Sequence, residues 1–251
     1  MFAALDNFDP QRFAILLDVD GTILDLAPTP HAVVVPDGLR RTLELLLQQT
    51  GGALALVSGR PVADLDHIFA PLQLPAIGGH GAEFRPTVSE NSCEQLSQSL
   101  DRRLKQRLKE IAARYPEVAY EDKGYSLAIH YRLALEHEID VVEEVFRVCK
   151  TYPIESYEIL TGKAVIEVKA RGFDKGTAVR RLMSYPPFLG RTPIFIGDDT
   201  TDEAAFAVMP EFDGVPIAVG RKVPGIAGRF QSPAEVRRWL ERLVNETAPV
   251  A

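Results

Sequence analysis

The sequence predicts an α/β protein: a parallel-sheet core covered by helices and interrupted by an inserted α+β unit. Three observations carry that reading. Short apolar runs alternate with helical patterns in the first and last thirds of the chain. The middle third instead reads helix–hairpin–helix–hairpin. Each cluster of chemistry-bearing residues also follows the carboxyl end of a predicted strand, the edge where an open parallel sheet binds ligands.

Phe13–Leu17 is a buried-strand run ending in Asp18-Val19-Asp20-Gly21-Thr22. Leu39, Leu43, Leu46 and Leu47 then follow helical spacing, with Pro36-Asp37 before them. Ala53–Val57 predicts a second strand, ending in Ser58-Gly59-Arg60, and Pro61 suits the first turn of a helix to about Phe69. Pro75–Ile77 leads as a third strand into Gly78-Gly79-His80-Gly81. In the middle, Leu100, Leu104, Leu108 and Ile111 share a helical stripe. Val118–Asp122 and Tyr125–Tyr131 flank Lys123-Gly124 as a hairpin, and a helix is expected over Glu138–Lys150. Tyr157–Thr161 and Ala164–Lys169 flank Gly162-Lys163 as a second hairpin. A helix is expected from Lys175 through Leu182, then a strand over Thr192–Ile196 ending in Gly197-Asp198-Asp199. Another helix is expected over Asp202–Val208, and another strand over Val215–Val219. Ser232-Pro233-Ala234-Glu235 is a capping box opening a terminal helix through Trp239 and Leu243. The expected division is a core of residues 1–84 and 171–251 around an insertion of residues 85–170.

Composition excludes several classes. The 251 residues are 46% hydrophobic and 25% charged, an ordinary globular balance that gives enough chain for two modest cores. A net charge of -7 with no dense basic run argues against nucleic acid or an anionic membrane surface as partner. The start, Met1 to Pro10, lacks the basic and apolar segments of a signal peptide, and no apolar run is long enough to span a bilayer. Two cysteines, Cys93 and Cys149, without CxxC spacing, fit reduced thiols in a cytoplasmic protein.

The acids carry the chemistry. Asp18 and Asp20 stand one residue apart just past a buried strand, where they repel each other unless a cation or a proton joins them. Magnesium takes oxygen ligands and commonly shares its shell with water and a substrate phosphate. Gly21 permits a tight turn whose amides can face an anion. Acids in a first helical turn complement the dipole, which accounts for Asp202 and Glu203. Metal coordination is the better account of Asp198-Asp199 at a strand end. Lys175 at a helix N-terminus is misplaced by about 0.3–1 kcal/mol, and a neighbouring anion reverses that sign.

These motifs, in this order, resemble the haloacid-dehalogenase-like phosphatases: Asp18-Val19-Asp20-Gly21-Thr22, Ser58, Lys175 and Gly197-Asp198-Asp199. Further segments narrow the resemblance to the trehalose-6-phosphate phosphatases. They are Leu56-Val57-Ser58-Gly59-Arg60, Gly79-His80-Gly81-Ala82-Glu83, Gly197 through Glu203, Glu121-Asp122-Lys123-Gly124, His130-Tyr131-Arg132 and Val165 through Lys169. The resemblance implies a Rossmann-like core with a cap that selects substrate. It implies Asp18 as nucleophile, forming an aspartyl-phosphate, and Asp20 as general acid and base. Magnesium would be held by Asp18, the Asp20 backbone carbonyl and Asp198, with Asp199 and Asp202 supporting that shell or Lys175. Gly21, Thr22, Ser58, Gly59 and Lys175 would bind phosphate, and His80, Glu121, Lys123 and Glu167 the sugar. The implied substrate is trehalose 6-phosphate and the expected working form a monomer. Sucrose phosphate, mannosylglycerate-type phosphates and hexose phosphates are the alternatives within the same chemistry. A non-catalytic sugar-phosphate sensor is the alternative from another class.

Overall fold

The computed structural model describes residues 8–29, 32–88, 93–162, 164–226 and 228–246. Lys163 of the second expected hairpin turn, and the first seven residues of the chain's start, lie outside them. Packing divides the chain into two units, Met1–Ala27 with His31–Glu94 and Asp174–Ala251, and Pro28–Pro30 with Gln95–Phe173. The first unit begins with β1 (Phe13–Leu17), α1 (Leu39–Gln49), β2 (Leu54–Val57), α2 (Val62–Phe69), β3 (Ala76–Gly78) and β4 (Glu83–Arg85), and β5 (Glu94–Gln95) marks its border. The second unit holds α3 (Arg102–Ala112), β6 (Ala119–Asp122), β7 (Ser126–His130), α4 (Glu138–Cys149), β8 (Tyr157–Gly162) and β9 (Val165–Ala170). The first unit resumes with α5 (Lys175–Leu182), β10 (Thr192–Gly197), α6 (Glu203–Val208), β11 (Val215–Val219), β12 (Gly228–Phe230) and α7 (Pro233–Glu246).

The first unit is built on an eight-stranded sheet ordered β12-β11-β10-β1-β2-β3-β4-β5. It is parallel from β12 to β3, and β4 runs antiparallel to β3. The central strands are buried on both faces, as continuous apolar runs in a parallel sheet require. On one face Ile15, Leu17, Ile194 and Ile196 share a core with Leu39, Leu43 and Leu46 of α1, Phe69 of α2, and Trp239 and Leu243 of α7. On the other, Phe195 meets Phe206 of α6 edge-on, ring centroids 5.5 Å apart. Register then places the chemistry. Leu17 pairs with Ile196 on one side and Leu56 on the other, so Asp18, Asp198 and Ser58 leave the sheet at one edge.

Three strands absent from the sequence reading, β4, β5 and β12, are two or three residues long, too short to show a period. Because β4 and β5 join the core sheet, the first unit runs on to Glu94 where 84 was expected.

The second unit is a four-stranded antiparallel sheet, β6-β7-β9-β8. Leu127, Ile129, Ile166 and Val168 pack with Leu104, Leu108 and Ile111 of α3 and Val141 and Val145 of α4. Alternation sends the other face polar. Ala128 pairs with Glu121 and Glu167, and Ser126 with Lys169, which puts these side chains on the face opposite the core. Among the described residues no helix is long and apolar enough to cross a membrane.

Candidate active site

The first unit gathers Asp18, Thr22, Lys175, Asp198 and Asp202 into one buried cluster, with Ser58 buried at the same sheet edge. Lys175 Nζ donates to Asp18 Oδ1 at 2.8 Å and to Asp202 Oδ1 at 2.6 Å. Thr22 Oγ1 donates to Asp18 Oδ2 at 2.9 Å. Both oxygens of Asp202 are engaged, since Oδ2 accepts from the Asp199 amide at 2.9 Å. Lys175 opens α5, whose N-terminus Asp174 and Thr177 close with a reciprocal capping pair. The two carboxylates offset the misfit of a cation at that helix end.

Burial sets the electrostatics. It pushes the Asp18 carboxyl up to about 7, and the Asp202 charge adds to this while Lys175 pulls the other way. Asp202 is raised for the same first reason, burial, against the pull of Lys175. Burial would lower Lys175, but Asp18 and Asp202 outweigh it and hold the ammonium above its ordinary value. Three buried acids facing one cation leave the cluster short of positive charge.

A metal ion fits that shortage. Ligand oxygens of Asp18, Asp198 and Asp202 lie within 4.8 Å of one another. The donors are all hard carboxylate oxygens, suited to magnesium-like ions rather than to soft ones. Gly21 stands at φ +82°, and a Cβ there would collide with the Asp198 carboxylate, so glycine alone leaves that group its place. Asp202 is also bound to Lys175 and to the Asp199 amide, so it supports the lysine as well as standing in the acid cluster.

Asp20 lies at the rim. Arg60 grips it with a two-pronged bond, Nε to Oδ2 at 2.6 Å and Nη2 to Oδ1 at 2.7 Å. The Arg60 backbone is itself fixed: its amide donates to Ser58 Oγ at 3.1 Å and its carbonyl accepts from Gly79. The His80 amide donates to the Ser58 carbonyl, and a Cβ on Gly59 would collide with the His80 ring. His80 adopts a left-handed backbone (φ 56°) to reach that place. Glu83 accepts from the Val62 amide at 2.6 Å, tying the same turn to the start of α2.

The remaining expected residues meet in the second unit. Lys123 Nζ lies 3.3 Å from Glu167 Oε2, and Ser126 donates to Glu167 Oε1 at 2.5 Å. His130 Nε2 and Glu121 Oε2 are 3.3 Å apart. Burial would raise Glu121, but the His130 bond and the Lys123 charge outweigh it and hold the carboxyl below its usual value.

The sequence reading missed four residues here. Arg60 and His130 sat inside quoted motifs and gained a role only from their partners. Ser126 had no signal beyond strand alternation. Arg221, which holds the Asp198-Asp199 backbone, had none at all, because only the sheet order makes it a neighbour.

Known proteins match this arrangement along most of the chain. A family model described as trehalose-phosphatase matches residues 16–229. The Escherichia coli (strain K12) protein named trehalose-6-phosphate phosphatase is 37% identical over 92% of this chain and 86% of its own length. A probable trehalose-phosphate phosphatase of Sinorhizobium fredii is 40% identical over 89% and 83%. Among solved structures, the C-terminal domain of C. albicans trehalose-6-phosphate phosphatase superposes with a TM-score of 0.80 at 25% identity, over 94% of this chain and 92% of that one. Sheet order, acid cluster and these likenesses agree: the chain belongs to the trehalose-phosphatase family, on a haloacid-dehalogenase-like fold.

Proposed function

We propose that the chain hydrolyses trehalose 6-phosphate to trehalose and inorganic phosphate, with Asp18 as nucleophile. The observation that carries the chemistry is the buried Asp18 carboxylate held by Lys175 and Thr22 beside Asp198. A nucleophile fixed from both oxygens meets phosphorus in one orientation, which supplies much of the rate through positioning. Asp18 attacks phosphorus, the bond to the sugar oxygen breaks, and an aspartyl-phosphate forms. Asp20 delivers a proton to the departing sugar oxygen. It then takes one from the water that attacks the aspartyl-phosphate, returning Asp18 and releasing phosphate. The Arg60 fork binds the carboxylate form, the form that accepts a proton, so delivering one requires the fork to open.

Thr22, Ser58, Lys175 and the amides of the Gly21 and Gly59 turns would take the phosphoryl oxygens. Asp18, Asp198 and the Asp20 carbonyl would hold magnesium, which when bound offsets negative charge on the transferring group. Asp202 and Asp199 keep Lys175 and the Asp198 loop in place. Glu121, Lys123, Glu167 and His80 would bind sugar hydroxyls. The disaccharide assignment draws support from the relatives' names and from the polar strand face that carries Glu121 and Glu167.

A panel of phosphate esters assayed by phosphate release tests it. Trehalose 6-phosphate is expected to give the highest kcat/KM, ahead of sucrose 6-phosphate and hexose phosphates, with activity lost on chelation and restored by magnesium. A preference for another sugar phosphate would move the substrate and leave the mechanism. No phosphate release from any ester would favour a sensor.

A further inference from the structure

The β10–β11 ladder ends at the pair Gly197 and Ala218, and the chain carrying Asp198 and Asp199 continues beyond it. Arg221 takes over where the ladder stops. Its Nε donates to the Asp198 carbonyl at 2.9 Å and its Nη2 to the Asp199 carbonyl at 2.8 Å. Two consecutive peptide planes are thereby fixed by one rigid guanidinium, whose planar fork suits paired acceptors as an ammonium does not. Arg221 is aimed there by the turn after β11, where Gly220 takes φ +70° and its amide donates to the Phe230 carbonyl. The third arm, Nη1, pairs with Glu203 at 2.8 Å. That neutralises a cation standing behind a site that must itself accept positive charge.

The Asp198 carboxylate is thus constrained at both ends. Gly21 and Thr22 bound the side chain, and Arg221 fixes the backbone from which it springs. We propose that Arg221 is a positioning residue for the metal loop, setting affinity for the divalent cation and not the rate of the chemical step. The proposal rests on the reading of Asp198 as a metal ligand. Groups that orient metal ligands typically cost about 10- to 100-fold in affinity when removed.

The test is calorimetric titration of Mn2+ into metal-free enzyme, alongside kcat at saturating Mg2+. Arg221→Gln is expected to bind Mn2+ about 10- to 100-fold more weakly than wild type. Its kcat at saturating Mg2+ should stay within about twofold, the pattern of an interaction outside the chemical step. Arg221→Lys, which can serve one carbonyl at a time, should fall between, and it carries the test if the glutamine variant does not fold. Glu203→Gln breaks the exposed ion pair but keeps both carbonyl bonds, and should remain within about fivefold of wild type. Unchanged Mn2+ affinity in Arg221→Gln overturns the proposal, as does a loss of kcat at saturating metal with affinity intact. Asp198→Asn serves as the reference. Loss of binding there supports the underlying metal site, and wild-type binding would remove that site and the proposal with it.

Discussion

Lys175 is the residue on which the core cluster depends. It is buried between Asp18 and Asp202, and breaking a buried ion pair from one side leaves the partner charge without compensation. Lys175→Met is therefore expected to lower the unfolding free energy of metal-free protein by about 3–5 kcal/mol, read by denaturant titration. Asp18→Asn works in the opposite sense. It removes one of several crowded carboxylates and keeps the shape, so the metal-free fold should be retained while turnover is abolished. Asp20→Asn, still able to meet Arg60, should lose about 10²–10⁴ in kcat. Turnover at the wild-type rate by Asp18→Asn protein, with deamidation excluded by mass spectrometry, would sink the nucleophile assignment.

At the scale of elements, one contact ties the first hairpin of the second unit to α3. Asp122 at the end of β6 meets Lys105 at 3.0 Å and Lys109 at 2.8 Å, and accepts from the Gly124 amide in the turn. Burial pushes the Asp122 carboxyl up, but the bonds from Lys109, the Gly124 amide and Lys105 outweigh it and hold it at about 2. A depressed carboxyl contributes stability above its unfolded value and loses it as pH falls through the folded one. Asp122→Asn should thus cost about 0.2–1 kcal/mol at pH 7, the range for an exposed pair. The gap should close between about pH 4 and pH 2. A gap that persists at pH 2 would mean the residue acts by packing. The same hairpin shows what sequence can and cannot disclose. Its strands were legible because Leu127 and Ile129 alternate with Ser126 and His130. The lysines on α3 that hold its turn were not, since a helical stripe tells which face is buried but not which strand it meets.

For the whole molecule, the proposed function divides duties between the two units, and specificity would follow from that division. Glu121, Lys123 and Glu167 belong to the second unit, and Asp18, Lys175 and Asp198 to the first. Remote binding contributes to orientation at the reacting centre, so lost sugar contacts lower turnover as well as affinity. Lys123→Ala and Glu167→Ala are each expected to lose about 1.5–3 kcal/mol, roughly ten- to a hundredfold in kcat/KM, on trehalose 6-phosphate. Hydrolysis of an aryl phosphate, which has no sugar, should barely change. Equal losses on both substrates would assign these residues to the fold, a reading their mutual pairing makes worth testing by thermal unfolding of the same variants. Most of the core site was legible because strand-end placement and residue chemistry act locally along the chain. Arg60 on Asp20 and Arg221 on Asp198 were not, because each depends on which strands lie side by side, and register is a property of the folded sheet.

That sheet order bears on how the protein is made. β1 is flanked by β10, whose residues are synthesised long after it, and Asp18 meets Lys175 and Asp198 only across that span. On the ribosome, all the helices of the second unit and its four-stranded sheet lie within Gln95–Phe173 and can fold while the first unit still waits for its missing strands. Until Thr192–Gly197 emerges, β1 presents an apolar edge with no neighbour on that side. Closing so long a loop is slow, so the nascent chain spends that interval exposed to aggregation and to chaperones. Asp18 is thus translated well before Lys175 and Asp198, and its place in the acid cluster is completed only after they emerge.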